Sequence, residues 1–190
     1  MRSNIASILK LAIGILIFLG VCAFLFLYFY KFPKEVSVVR KAVIMIGDSP
    51  ASGTPTTIRI DGTLYRPMYR QHRFVGDFTI DALEVTKWSQ IDMKTVKINN
   101  GIGMGAMFYS RMNPKIETAH FGWIYFDKDF ENINIWTNTK MTTDEPAIGD
   151  EAGDIYDSMF IATGDDLEQA IETQRKLGEQ FGDDSFAPKR

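Results

Sequence analysis

Residues Leu11–Tyr30 read LAIGILIFLGVCAFLFLYFY, twenty positions without a charge, bracketed by Lys10 and Lys31. At about 1.5 Å per residue, a helix of this length covers the roughly 30 Å hydrocarbon core of a bilayer. A helix satisfies its own backbone groups in lipid and needs no partner strand, so the composition predicts a transmembrane helix. The stretch divides the chain. Residues 1–31 are expected to be a cytoplasmic tail and span, in contact with the lipid bilayer through Leu11 to Tyr30, and the remainder one folded domain.

Two other readings compete for the same residues. A cleaved signal peptide has an apolar region of about 7–15 residues ending at small side chains. Here the run continues through AFLFLYFY without such a site. Lipidation at Cys22 would follow Leu19-Gly20-Val21, but Val21 is bulky for that position and apolar chain continues to Tyr30. The uncleaved anchor is the expectation. Its direction is less directly written: Arg2 and Lys10 flank one side, and Lys31, Lys34, Arg40 and Lys41 the other. Counted literally, that bias favours a cytoplasmic domain. A short charged tail retained inside is the usual outcome for an anchor starting this early, so the domain is expected to be extracytoplasmic.

The chain has 21 basic and 24 acidic residues; with Arg2, Lys10 and Lys31 set aside, the domain from Phe32 onward has a net charge of −6. A mildly acidic domain without a Lys/Arg-rich run repels nucleic acid. The single cysteine, Cys22, lies inside the span, leaving the domain no disulfide and no thiolate metal site. This composition fits a bacterial envelope better than a disulfide-stapled secreted protein.

Along the domain, residues 32–55 read as a stalk or linker with short β-branched strands at Val36–Val39 and Ala42–Ile46, ending in the turn-rich run GDSPASGTP. Thr56–Ile60 and Thr63–Arg66 alternate in polarity around Asp61-Gly62, a hairpin-turn signal. Arg73–Ile80 is a further strand with Gly76 a candidate bulge, and residues 88–93 read as loop. Thr95–Ile98 and Ile102–Arg111 flank Asn99-Asn100-Gly101, a second hairpin. Thr118–Phe126 is apolar on both parities, with Phe121, Trp123 and Tyr125 on one face and Ile124 and Phe126 on the other, as a strand covered on both sides requires. Asn132–Thr137 returns with Ile133 and Ile135 inward. An acidic loop over 144–154 precedes a last strand near Tyr156–Ala162. Asp166 stands at a helix start, and Leu167, Ala170, Ile171, Leu177 and Phe181 form an apolar stripe of 3.6 period. The expected fold is α+β: a mainly antiparallel sheet over 56–182 with one C-terminal amphipathic helix on it, then a flexible tail over 183–190.

Several motifs suggest chemistry. Val43–Pro50 runs a hydrophobic strand into Gly47-Asp48-Ser49 and resembles the first block of GDS-type (SGNH) lipases and esterases, in which that serine is the nucleophile. Those enzymes need a helix directly after the serine and a D-x-x-H block near the C-terminus. Pro50, Gly53 and Pro55 oppose the helix, and the last histidine is His120. An envelope serine hydrolase using Ser49 remains the alternative function. Gly101-x-Gly103-x-x-Ala106 matches a dinucleotide fingerprint only formally, because no helix can follow it. Asp127, Asp129 and Glu131 alternate like calcium ligands but lack the glycine and final glutamate of such a loop. No metal site, cofactor or catalytic set is assigned, and calcium at the 144–154 loop stays open.

The strongest ligand-binding candidate is the basic-aromatic run Tyr65, Arg66, Tyr69, Arg70, His72 and Arg73, with no acid between Thr63 and Val75. Guanidiniums take phosphate or carboxylate through two bonds, and tyrosines stack on sugars or headgroups. The competing reading is a polar hairpin whose arginines pair with carboxylates elsewhere.

The order of IDG-LYR…FVGDFTID, HFGWIYFDKDF and a terminal DDLEQAIETQRKL helix behind one span resembles small single-pass, membrane-anchored proteins of Gram-positive bacteria. That resemblance implies an extracytoplasmic domain and brings no activity or site. The expected function is a non-enzymatic binding or accessory role at the cell envelope, with an envelope protein or anionic polymer as partner.

Overall fold

A computed structural model describes residues 2–47, 52–127, 129–138, 140–141, 146–147 and 158–182. Helix α1 spans Arg2–Phe29. Its Lys10–Phe29 stretch is long and apolar enough to cross a membrane, and none of it is buried against the rest of the chain. Length and composition alone fit a membrane anchor or a signal sequence.

The rest of the described chain is an antiparallel barrel. Strands β1 (Pro33–Ile46), β2 (Gly53–Tyr65), β3 (Arg73–Ile80), β4 (Ile91–Asn99), β5 (Ile102–Asn113), β6 (Lys115–Phe126) and β7 (Ile133–Asn138) follow one another around the wall. A two-residue ladder joins β8 (Lys140–Met141) to β9 (Pro146–Ala147) outside it. Strand β10 (Ser158–Thr163) pairs with β7 on one side and with β1 on the other, from Ala42↔Thr163 to Ile46↔Met159, and closes the sheet. Closure removes the free edges that an open sheet would expose.

Three expectations change here. The mainly antiparallel sheet expected over 56–182 closes into an eight-stranded barrel that also takes in the chain from Pro33. The stalk expected over 32–55 gives way where the chain is described: β1 belongs to the barrel wall and pairs with β2 from Pro33↔Tyr65 to Met45↔Gly53. Asp61-Gly62 is not a turn but lies inside β2, where Gly62 faces Gly76 of β3. A Cβ on Gly62 would sit 2.4 Å from the Val75 carbonyl oxygen, and one on Gly76 2.2 Å from that of Asp61. The two glycines allow backbones to approach where the wall bends.

The barrel is filled with side chains. Ile58, Ile60, Phe74, Phe78, Met107 and Ile135 are all fully enclosed within one core cluster. Tyr109 is also inside, its hydroxyl donating to the Phe78 carbonyl at 2.7 Å. In β6 the inward phase switches, because the β5–β6 register shifts between Met107 and Phe108. Phe121 therefore shares the core with Ile124 and Phe126, while Tyr125 packs under the C-terminal helix. This corrects the expected split of faces: an extra residue in one strand reverses every side chain beyond it.

Each end has a stopper. At the end remote from α1, the short 3-10 helix Glu84–Lys87 follows Leu83; Leu83 and Val85 join the core, and the Thr86 hydroxyl accepts from Ile80 N–H at 2.9 Å. At the α1 end, Phe130 folds in from the β6–β7 loop, stacked on Phe126 at 4.5 Å and edge-on to Phe74 at 5.7 Å. Helix α2 (Leu167–Phe181) crosses the outer wall, burying Ala170 against Val43, Met45, Phe160 and Ala162, and Leu177 and Phe181 against Ile102 and Tyr125. Asp166 caps it by accepting from Gln169 N–H at 2.9 Å, and Gly182 ends it in the left-handed region at φ 78°.

Candidate functional site

The basic-aromatic run ends β2, forms the β2–β3 loop and starts β3, at the α1 end of the barrel. Pro67 stops β2 because it cannot donate to the ladder. The next donor is used on the helix side, where Arg66 N–H reaches the Lys31 carbonyl at 2.7 Å. On the other flank Thr95 N–H donates to the His72 carbonyl at 2.8 Å. The loop is thus held between the exit of α1 and strand β4.

The six candidate residues do not form one patch. Arg73 makes a two-pronged pair with Asp92 of β4 on the outer wall. That pairing holds the Asp92 carboxyl below its ordinary range and raises the Arg73 guanidinium. The acid missing from the local sequence comes from the neighbouring strand. Arg70 and Tyr69 lean on α1: the Arg70 guanidinium lies over the Tyr28 ring, and Tyr69 stacks with Tyr28 at 6.4 Å between centroids. Tyr65 is half-buried below Lys31, whose ammonium is 5.8 Å from its ring centre.

Arg66 and His72 turn elsewhere. With Thr95 and Asp127 they are the polar lining of a cavity of about 50 Å³ whose apolar walls include Leu64 and Phe126. Burial and the positive charge of Arg66 both push the His72 imidazole below its ordinary pKa, burial more strongly. Thr95 is 3 % exposed and faces inward in phase with Ile91 and Met93. The sequence alone does not single it out, because residues 88–93 read as loop and hide the parity of the strand that Thr95 continues. Once Ile91–Asn99 is one strand, a threonine on the core-facing parity is the signal.

Asp127 serves its own loop. Its carboxylate accepts the backbone N–H groups of Asp129, Glu131 and Asn132 and the Asn132 side chain, at 2.7–3.2 Å. Asp129 pairs with Lys34. The alternating acids therefore build a turn.

The other motifs are structural where they are described. Gly103 lies beneath the Phe126 ring and Gly105 against Met93, in a hairpin whose turn is Asn100-Gly101 at positive φ. His120 is on the outer face of β6, 4.9 Å from the Phe108 ring. Asp48 and Ser49 fall outside the described residues, as does the acidic loop 144–154 apart from Pro146-Ala147.

Compared with known proteins, the chain matches no family model, no curated protein and no solved structure.

Proposed function

We propose that this chain is a single-pass, membrane-anchored, extracytoplasmic domain with a non-enzymatic binding or accessory role at the cell envelope. The supporting observation is the hydrogen bond from Arg66 N–H to the carbonyl of Lys31, the residue directly after the apolar stretch. With β1 starting at Pro33, the barrel has no stalk, and its β2–β3 loop lies where a span would leave the bilayer. A packed barrel interior offers no room for a large ligand, so recognition falls to the loops and the outer wall. An envelope protein or an anionic polymer at the membrane surface is the kind of partner this end would meet.

A reporter fused after Arg190, active only outside the cytoplasm, tests the reading together with alkaline extraction of membranes. Signal outside and retention in the extracted membrane are expected. A cytoplasmic signal overturns the envelope assignment, and release of a shortened chain would identify residues 1–31 as a cleaved signal.

A further inference from the structure

Two polar atoms at the α1 end of the barrel are buried with no hydrogen-bond partner among the described residues: Nε of Arg66 and Oγ1 of Thr95. Both side chains line the same cavity, which His72 also lines. Buried donors without acceptors are costly, and charged ones most of all. The Arg66 guanidinium can only donate, and the Thr95 hydroxyl and one His72 ring nitrogen can donate beside it, so a ligand rich in acceptors complements the site. A single water needs about 10–15 Å³ of such space. The cavity of about 50 Å³ has room for a group of several heavy atoms.

The remaining charge narrows the choice. Asp127 lines the cavity too, and its oxygens are already engaged by four donors of its own loop. It has no acceptor site left for the ligand but keeps a negative charge nearby, which favours a singly charged anion over a doubly charged one. A phosphodiester has that charge throughout the neutral range. The hydrogen bond between Arg66 and Lys31 puts the site beside the end of the apolar helix.

We propose that Arg66, His72 and Thr95 form an oxyanion site for one phosphodiester group, held at the end of the barrel next to α1. Two sources share this chemistry, a phospholipid headgroup and a free diester. Only the lipid source rests on the anchor reading above.

The chain's two histidines, His72 and His120, make the test direct. His120, on the outer wall, is an internal control. The full chain, with isotope-labelled histidine, is held in phosphate-free maltoside micelles and the imidazole signals are followed by NMR across pH. Dimethyl phosphate is added in one arm and phosphatidylglycerol in the other. An anion beside Arg66 offsets its charge, so the His72 midpoint should rise by about one pH unit, read against the His120 signal. A response to the lipid alone assigns a headgroup, and a response to dimethyl phosphate shows a site open to free diesters; either supports the site. Arg66→Gln and Thr95→Val should abolish the shift, and Thr95→Ser, which keeps the hydroxyl, should retain it. A His72 midpoint unmoved in both arms, or moved equally in Thr95→Val, overturns the proposal and leaves the cavity to water. A cytoplasmic reporter signal would remove the envelope reading without affecting this titration.

Discussion

The guanidinium carbon of Arg70 lies 4.8 Å from the ring centre of Tyr28 and 5.8 Å from that of Phe29, which seats the β2–β3 loop on the last turn of α1. Tyr69 adds its ring to the same cluster, 6.2 Å from Phe24. Helix and barrel are thus joined twice, through the chain at Lys31–Pro33 and through this aromatic-cationic contact.

A cation over an aromatic face contributes about 0.5–1 kcal/mol at an exposed site. Arg70→Ala should therefore speed amide exchange in residues 66–72 by about two- to five-fold, with the core strands unchanged. Arg70→Lys should fall between the two, since an ammonium stacks less well than a planar guanidinium. Uniform acceleration across the barrel would show that Arg70 acts on global stability instead.

Gly62→Ala distinguishes a strand from a turn by its sign. In an open strand, alanine gains about 0.5–1 kcal/mol over glycine. Here the new methyl would meet the Val75 carbonyl oxygen at 2.4 Å and the Gly76 Cα at 2.7 Å, both backbone atoms that cannot swing away. A loss of about 1–3 kcal/mol in denaturant unfolding is expected. A gain would mean that the β2–β3 approach is looser than described.

The same glycine shows where local reading stops. Asp61-Gly62 has the composition of a turn, but what Gly62 accommodates is Gly76, fourteen positions on, and no local pattern contains that contact. Elements fixed by neighbours in sequence were legible: the bounds of Arg73–Ile80, the Asn100-Gly101 turn and the Asp166 cap all depend on residues within a few positions. Closure was not, because β1 and β10 meet across more than a hundred residues and the pairing depends on the whole meander. The face of Phe121 was hidden for a related reason, a register shift in the pairing of β6 with β5. At the site, Arg66 and His72 announced themselves as polar residues in a run. Asp92, which occupies Arg73, and Thr95, which completes the cavity, come from another strand and become visible only in three dimensions.

His72 should make stability depend on pH in a defined direction. Its folded-state pKa is below its ordinary value of 6.5, mainly through burial and secondarily through Arg66. Between that lowered value and about 6.5 the unfolded chain binds more protons than the folded one. The contribution is whole above about 6.5 and is lost as pH falls through the window. His72→Gln should flatten this part of the stability profile. Because the imidazole is still partly open to solvent, the effect should be modest. A profile identical in wild type and variant would assign the acid sensitivity to carboxylates.

Asp127 and Phe130 should behave as one unit. The carboxylate of Asp127 gathers three backbone N–H groups and one side-chain amide, and that turn drives Phe130 into the barrel mouth at a positive φ of 54°, an uncommon conformation for a bulky residue. Arg40 secures it from β1, donating Nε–H to the Phe130 carbonyl at 3.1 Å. Removing the ring by Phe130→Ala should cost about 3–5 kcal/mol. Asp127→Ala, which leaves several N–H groups unsatisfied, should cost about 2–3 kcal/mol, and Asp127→Asn less, since one oxygen remains to accept. If the main work of the Asp127 turn is to seat Phe130, the double alanine variant loses well under the sum of the single losses, by at least about 1 kcal/mol. Additive losses would mean that the turn and the stopper stabilise the barrel independently, and that Phe130 is held by Phe74 and Phe126 alone.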